Sequence, residues 1–265
     1  MNEANARIGS SLPDLAGLLA WYGTLPGQAL GEAEETITSD ILPNLFGYHL
    51  VQIGDSARDL TTTSRISYRL VIGLNAAAGQ GISVVARADA LPVQANAIDV
   101  VMLPHTLEFA PNPHGVLREA ERILIGEGHL LILGFNPWSF FGLYRRALNW
   151  RGDAPWSGHF LSLSRLKDWL GLLGFDIERV LRASFRPPIA SPRWHQRLAF
   201  LERLGAHFWP MTSNVYGVLA RKRVLSARPL RTAWKVRRRF PAGSVVEPTT
   251  RQPIPQKPHE EGHPR

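Results

Sequence analysis

The chain has 265 residues, 45% of them hydrophobic, which suits one α/β domain with extra elements or at most two small domains. It contains no cysteine, so disulfides, thiolate metal sites and cysteine nucleophiles are excluded, and a reducing compartment fits. The formal charge of +8 is uneven: from Arg221 onward 12 Lys/Arg stand against 3 Asp/Glu, while residues 1–220 hold 18 against 19, so any partner drawn by positive charge must be met by the tail.

The opening residues, MNEANARIGSSLPDL, lack the basic start and apolar run of a signal peptide, and no stretch nears the roughly 20 apolar residues of a membrane span, so a soluble cytoplasmic protein is expected. Leu12 to Tyr22 reads as a short helix capped by Ser11, with Leu15, Leu18, Leu19 and Tyr22 on one face. Thr24 to Gly27 reads as a break. Gln28 to Leu42 reads as a second helix carrying Leu30, Ile37 and Ile41, with Glu32, Glu34 and Glu35 facing water and Pro43 at its end. These helices either cover the sheet or form a lid over a ligand.

Tyr48 to Ile53, Tyr68 to Leu74 and Ile82 to Ala86 read as three strands, the first followed by a tight turn at Gly54 and Asp55. Ile98 to Leu103, closed by Pro104, has the β-branched apolar run of a strand buried on both faces. Asn112 and Pro113 start a helix whose Val116, Leu117, Ala120, Ile123 and Leu124 share one face; Gly126-Glu127-Gly128 is expected to stop it, and His129 to Leu133 to form the next buried strand. Strand, crossover helix and strand make a right-handed βαβ unit. In open α/β sheets ligands sit beyond the carboxyl ends of the strands, here at Pro104 to Glu108 and Gly134 to Pro137.

Trp138 to Arg146 is aromatic and basic and reads as a helix. Ser162 or Ser164 caps another, with Leu166, Trp169, Leu170 and Leu173 on one face and Gly174 at its end. Phe175 to Leu181 and Val215 to Ala220 read as the last two strands, separated by an insertion from Pro187 to Pro210 with a helix from Trp194 to Leu204. From Val224 the chain is rich in Pro and Arg, poor in apolar periodicity, and expected to be disordered beyond about Phe240. The expected organisation is therefore a helical cap over 1–46, a main domain over 47–223 and a basic tail over 224–265.

Ala90-Leu91-Pro92-Val93, Ala97 to Val101, the His105 loop, Leu117 to Leu124 and Gly126-Glu127-Gly128 resemble the second half of a class I S-adenosylmethionine-dependent methyltransferase. They are nearest to the type 11 domain group, which includes quinone and menaquinone methyltransferases. MLPHTLEFA followed by GFNPWS is similar to a narrower bacterial branch of that group. The resemblance spans about Leu50 to Arg221. It implies a Rossmann-like α/β fold: a mostly parallel seven-stranded sheet with an antiparallel last strand and helices on both faces. It also implies S-adenosylmethionine as cofactor and a small-molecule or lipophilic acceptor.

On the family's cofactor positions fall Gln52, Gly54 and Asp55 after the first strand, Asn75 after the second, Asp89, Ala90 and Leu91 after the third, and Pro104 and His105 after the fourth. The sequence departs from the family pattern at several of them. Gly54 is the one glycine left of a spaced set, Gln52 stands where an acid is common, Asn75 replaces a ribose-binding carboxylate, and Arg87 occupies the place of an adenine-side Asp. Arg87 is free either to pair with Asp89 or to bind phosphate. His105 reads either as the general base of the reaction or as a structural histidine in a tight turn. His114, His129 and His159 are too scattered for a metal site. Trp138, Phe140, Phe141, Trp150, Trp156 and Phe160, with Arg145, Arg146 and Arg151, form a substrate cover, an element that touches membrane transiently, or ordinary core. Three functions stay open: methyl transfer, a non-catalytic binding or regulatory protein on the same fold, and nucleic-acid association through the tail.

Overall fold

The computed structural model describes residues 20–54, 59–74, 82–148, 156–189 and 200–224, with 191, 193, 197 and 198 besides. Outside them lie most of the first expected helix, Asp55, Asn75, Trp150, Arg151, Trp194 and the whole tail from residue 225. Seven strands are present: β1 (His49–Ile53), β2 (Tyr68–Gly73), β3 (Val84–Val85), β4 (Ile98–Pro104), β5 (Leu124–Phe135), β6 (Phe175–Ala183) and β7 (Val215–Lys222). They form one sheet in the order β3-β2-β1-β4-β5-β7-β6, parallel except for β7, which runs antiparallel between β5 and β6. This is the sheet the sequence leads one to expect.

Helices cover both faces. On one, α1 (Leu25–Ile41) and α4 (Phe140–Leu148) pack Leu30, Ile37, Ile41 and Phe141 on Leu50, Met102, Leu131 and Phe135. On the other, α3 (Pro113–Ile123) and α5 (Leu163–Leu172) pack Val116, Leu117, Ile123, Leu166 and Leu170 on Val51, Val101, Ile132 and Val218. A one-turn α2 (Thr106–Phe109) follows β4, and α6 (Phe200–Phe208) precedes β7. The caps are those written in the sequence: Asn112 Oδ1 accepts from Gly115 N at 3.0 Å, and Ser162 Oγ from Arg165 N at 3.4 Å.

Several expectations need correction. The break expected at Thr24 to Gly27 is shorter and earlier: only Gly23 and Thr24 are non-helical, Thr24 caps α1 by accepting from Gly27 N, and Pro26 sits in the first turn, where its missing N–H costs no hydrogen bond. Gly126-Glu127-Gly128 does not separate helix from strand. The helix has already ended at Ile123, and β5 begins at Leu124; the pairing jumps from Ile98↔Leu124 to Val100↔His129, so the glycine pair loops out as a bulge, with Glu127 at φ +65°. The strand at Val84–Val85 is only 2 residues long, an exposed edge with little to pack against. Of the helix expected from Trp194 to Leu204, Arg197 and Phe200 to Leu204 are helical and the last turn runs on to Phe208, while Trp194 to Gln196 and Ala199 lie outside the described residues. Between β1 and β2 residues 59–67 form turns, with Leu60 and Ile66 buried against the sheet. No described helix is long and apolar enough to cross a membrane.

Candidate active site

Pro104 closes β4, and the next residue must turn the chain out of the sheet. His105 does so in the left-handed conformation, at φ +52° and ψ 15°, which a non-glycine side chain adopts at a cost of about 1–3 kcal/mol. The turn of α2 that follows is buried throughout. Thr106 Oγ1 donates to Ile53 O at the end of β1, joining the carboxyl ends of β1 and β4. Gly54 is required beside that contact. It sits at φ +123°, and a Cβ there would lie 2.5 Å from Thr106 Oγ1.

What surrounds His105 was only partly readable. The residue is 3% exposed, and its ring stacks on Phe135 at 4.0 Å between centroids. Nε2 donates to Glu34 Oε1 at 2.9 Å, and Nδ1 faces Glu108 Oε1 at 3.6 Å, an ion-pair distance too long for a hydrogen bond. Glu34, expected on the water side of its helix, is 1% exposed and also accepts from Tyr22 Oη at 2.8 Å. Glu108 Oε1 accepts from Phe135 N at 2.7 Å, which fixes the loop to the end of β5. Burial alone lowers an imidazole's pKa, but the two carboxylates outweigh it, and that of His105 is pushed up to about 9. His105 is therefore a buried imidazolium clamped between acids, not a base with a free lone pair. Glu34 carried a legible signal: it lies four residues after Leu30 and three before Ile37, on the inward stripe of α1.

The remaining cofactor positions divide. Gln52, on β1, is 1% exposed, and its Oε1 is buried without a hydrogen-bond partner. An orphaned carbonyl oxygen beside a glycine turn fits the ammonium at the amino-acid end of S-adenosylmethionine. Asp89 is engaged with Arg87 through two hydrogen bonds of 2.9 Å, so of the two options for Arg87 the pairing is the one observed. Leu91 N donates to Glu119 Oε1 at 2.8 Å, and Arg122 donates to Val93 O at 2.8 Å, pinning the Asp89–Val93 segment to α3. Asp55 and Asn75 lie outside the described residues. Pro104 and His105 end the strand paired with β1 and so come beside Gln52 and Gly54, while Asp89, Ala90 and Leu91 follow β3, which lies beyond β2 at the end of the sheet. Among the described residues no group of His, Asp and Glu could hold a metal ion.

Beyond β5 the aromatic segment splits by face. Phe141, Trp156 and Phe160 belong to the core around Phe135, and Arg145 lies over Phe160 and donates to Trp156 O. Trp138 is 75% exposed and Phe140 43%. With Pro137, Leu143 and Arg146 they line a cavity of about 320 Å³. Asn136, next after β5, holds the edge together by donating to Met211 O and Ser213 O, and the buried Asn214 bonds to Phe141 N, Ser184 Oγ and Arg186 O.

Residues 55–132 match a family model described as a methyltransferase domain. The protein YafS of Escherichia coli strain K12, itself uncharacterized, is 32% identical over 216 residues, which cover 80% of this chain and 82% of that one. Among solved structures, a SAM-dependent methyltransferase from Thermotoga maritima superposes with a TM-score of 0.59 at 18% identity, covering 77% of this chain and 93% of its own. Geranyl diphosphate C-methyltransferase from Streptomyces coelicolor A3(2), solved with Mg²⁺, geranyl diphosphate and S-adenosyl-L-homocysteine, gives a TM-score of 0.50 at 15% identity over 72% of this chain and 79% of that one. At such identities the structural likeness is one of fold.

Proposed function

Since the chain belongs to the class I S-adenosylmethionine-dependent methyltransferases, we propose that it methylates a small lipophilic acceptor bound beyond the carboxyl end of β5. The observation that carries this reading is the cavity lined by Pro137, Trp138, Phe140 and Leu143, whose apolar rings stand open directly after that strand. S-adenosylmethionine, when bound, supplies an electrophilic methyl group on a sulfonium. Gln52 Oε1 and Asp55 would accept from its ammonium end, Gly54 would let the backbone approach, Asn75 would meet the ribose hydroxyls, and Asp89, Ala90 and Leu91 would border the adenine. Pro104 and His105 would wall the passage between cofactor and acceptor.

His105 acts in this reading as a positioning residue. It carries its proton at neutral pH and its ring nitrogens face carboxylates, so it holds α1, the loop after β4 and the end of β5 in one arrangement. Rate then comes from alignment and exclusion of water by the aromatic core, and the acceptor must be a nucleophile that needs no base from His105.

The test is calorimetric titration of S-adenosylmethionine into the parent chain and into Gln52→Leu. Replacing an orphaned buried amide by an apolar side chain of similar size leaves stability unchanged or raised. The parent is expected to bind, and the variant to bind about tenfold or more weakly with no loss of melting temperature. A parent that does not bind the cofactor removes the proposal; a variant that binds equally well removes Gln52 from the site.

A further inference from the structure

On the other side of Trp138 the edge of the sheet turns cationic. A second cavity, about 460 Å³, opens where the N-terminus of α5 meets the carboxyl ends of β5 and β6, and it shares Trp138 and Thr212 with the apolar one. Lys167 of α5 and Arg182 of β6 line it, and among the described residues neither has an ion-pair partner. No acidic side chain is among its described lining residues. Arg182 stands opposite Tyr216 in the β6–β7 register, and Tyr216 packs on the α5 side of the sheet, so the cation is held on that side by the strand itself.

Two further features point the same way. Ser162 and Ser164, at the start of the 10-residue α5, lie in the wall, and Ser162 Oγ accepts from Arg165 N. The amides before Arg165 have no intrahelical acceptor, and the helix presents the positive end of its dipole. Independently, Ser213 is 1% exposed and its Oγ has no hydrogen-bond partner, although the residue borders the cavity. A buried hydroxyl without a partner loses free energy unless something in the cavity accepts its proton or donates to it. Two cations without an ion-pair partner among the described residues, a helix start and an orphaned hydroxyl around one space, with no acidic side chain among its described lining residues, form a site for an oxyanion.

We infer that this cavity takes the anionic group, a carboxylate or a phosphate, of an amphiphilic acceptor whose apolar body lies across Trp138 in the neighbouring cavity. The inference rests on the proposal that the acceptor binds beyond β5. Trp138, Leu163 and Met211 give the apolar contact at the junction, and the cations fix which end of the acceptor faces away from the cofactor edge.

The test uses the full chain and three probes kept below their micelle concentrations: decanol, decanoate and decyl phosphate, titrated at about 150 mM salt, where exposed charges are largely screened. At least one anion is expected to bind about tenfold tighter than decanol, and the tighter of the two identifies the headgroup. Lys167→Gln with Arg182→Gln is expected to abolish that margin and to leave decanol binding and the melting temperature unchanged. Because Arg182 is half-buried and its loss could disturb β6, the exposed Lys167→Gln alone serves as a second variant and should remove part of the margin. Equal binding of all three probes by the parent overturns the inference. So does a margin that survives in the double variant, which would put the anion on Arg146 of the neighbouring cavity or on the basic tail. A chain that binds S-adenosylmethionine but shows no margin loses this inference and keeps the proposed function. A chain with a charge-dependent margin and no cofactor binding keeps this cavity and loses the proposed function.

Discussion

Glu34, His105 and Glu108 make the fold sensitive to alkali. His105 has a folded-state pKa near 9, above that of a free imidazole near 6.5, so the folded chain holds its proton more tightly than the unfolded one. The resulting stabilisation is complete below pH about 6.5 and is lost as pH rises through about 9; its full size is about 3 kcal/mol. Thermal melts from pH 6 to pH 10 should therefore show the parent losing more stability than Glu34→Gln, in which His105 keeps only one carboxylate. Lysines and other alkaline groups titrate in both chains and cancel in the comparison. At neutral pH the variant should itself be less stable by about 3–5 kcal/mol, because one partner of a buried ion pair has been removed. Parallel pH curves for the two chains would mean that His105 is neutral. Gly54 is a second site where stability and ligand binding are entangled. Its φ of +123° and the Thr106 Oγ1 atom leave no room for a side chain, so Gly54→Ala should cost about 1–3 kcal/mol in urea unfolding with no cofactor present. Gln52→Leu separates the two effects, and Gly54 variants do not.

The elements differ in how far the sequence discloses them. The β4–α3–β5 unit was legible because each boundary has its own chemistry: a β-branched run ended by Pro104, a cap at Asn112 and Pro113, and an apolar face of Val116, Leu117, Ala120 and Ile123 that the structure buries. Gly126-Glu127-Gly128 was misread because glycines end helices and make bulges equally well, and only the pairing partner across the sheet decides between them. Glu34 was misread for a related reason. Helical spacing placed it inward, but a carboxylate is usually solvated, and the partner that reverses the balance lies 71 residues away. In α4 the sequence could not separate two adjacent rings. Phe141 is 2% exposed among Phe135, Trp21 and Trp156, whereas Phe140 borders the open cavity. Phe141→Ser is expected to lose about 3–5 kcal/mol by thermal unfolding. Phe140→Ser should leave the melting temperature within about 2 °C and weaken decanol binding, or sedimentation with anionic liposomes if the acceptor is drawn from a membrane. A large destabilisation by Phe140→Ser would make it core and would remove α4 from the acceptor site.

For the molecule as a whole, charge is segregated along the chain. Residues 225–265 carry 9 Lys/Arg against 3 Asp/Glu, while residues 1–220 are close to neutral. The border is set by side chains: Arg223 Nε donates to Asp176 Oδ2 at 2.6 Å, its N donates to Gly174 O at 3.0 Å, and Val224 packs over Gly126. A truncation meant to separate tail from body should therefore follow Val224, since ending the chain at Lys222 also removes these contacts at the foot of β6 and β7. Deleting residues 225–265 is expected to keep the melting temperature within about 2 °C, because a stretch so rich in Pro and Arg and so poor in apolar periodicity has little to bury. It should also lower affinity for a non-specific DNA duplex by about tenfold or more at about 100 mM salt and flatten the dependence of that affinity on salt, because the released counterions are those displaced by the tail's lysines and arginines. Binding of S-adenosylmethionine and of decanol should be unchanged in the same truncated chain, because both are assigned to the carboxyl edge of the sheet. A truncated chain that retains the steep salt dependence would place the polyanion on the body, where Lys167, Arg182 and Arg146 are the cations at the acceptor edge, and the oxyanion cavity would then be the first place to look for it.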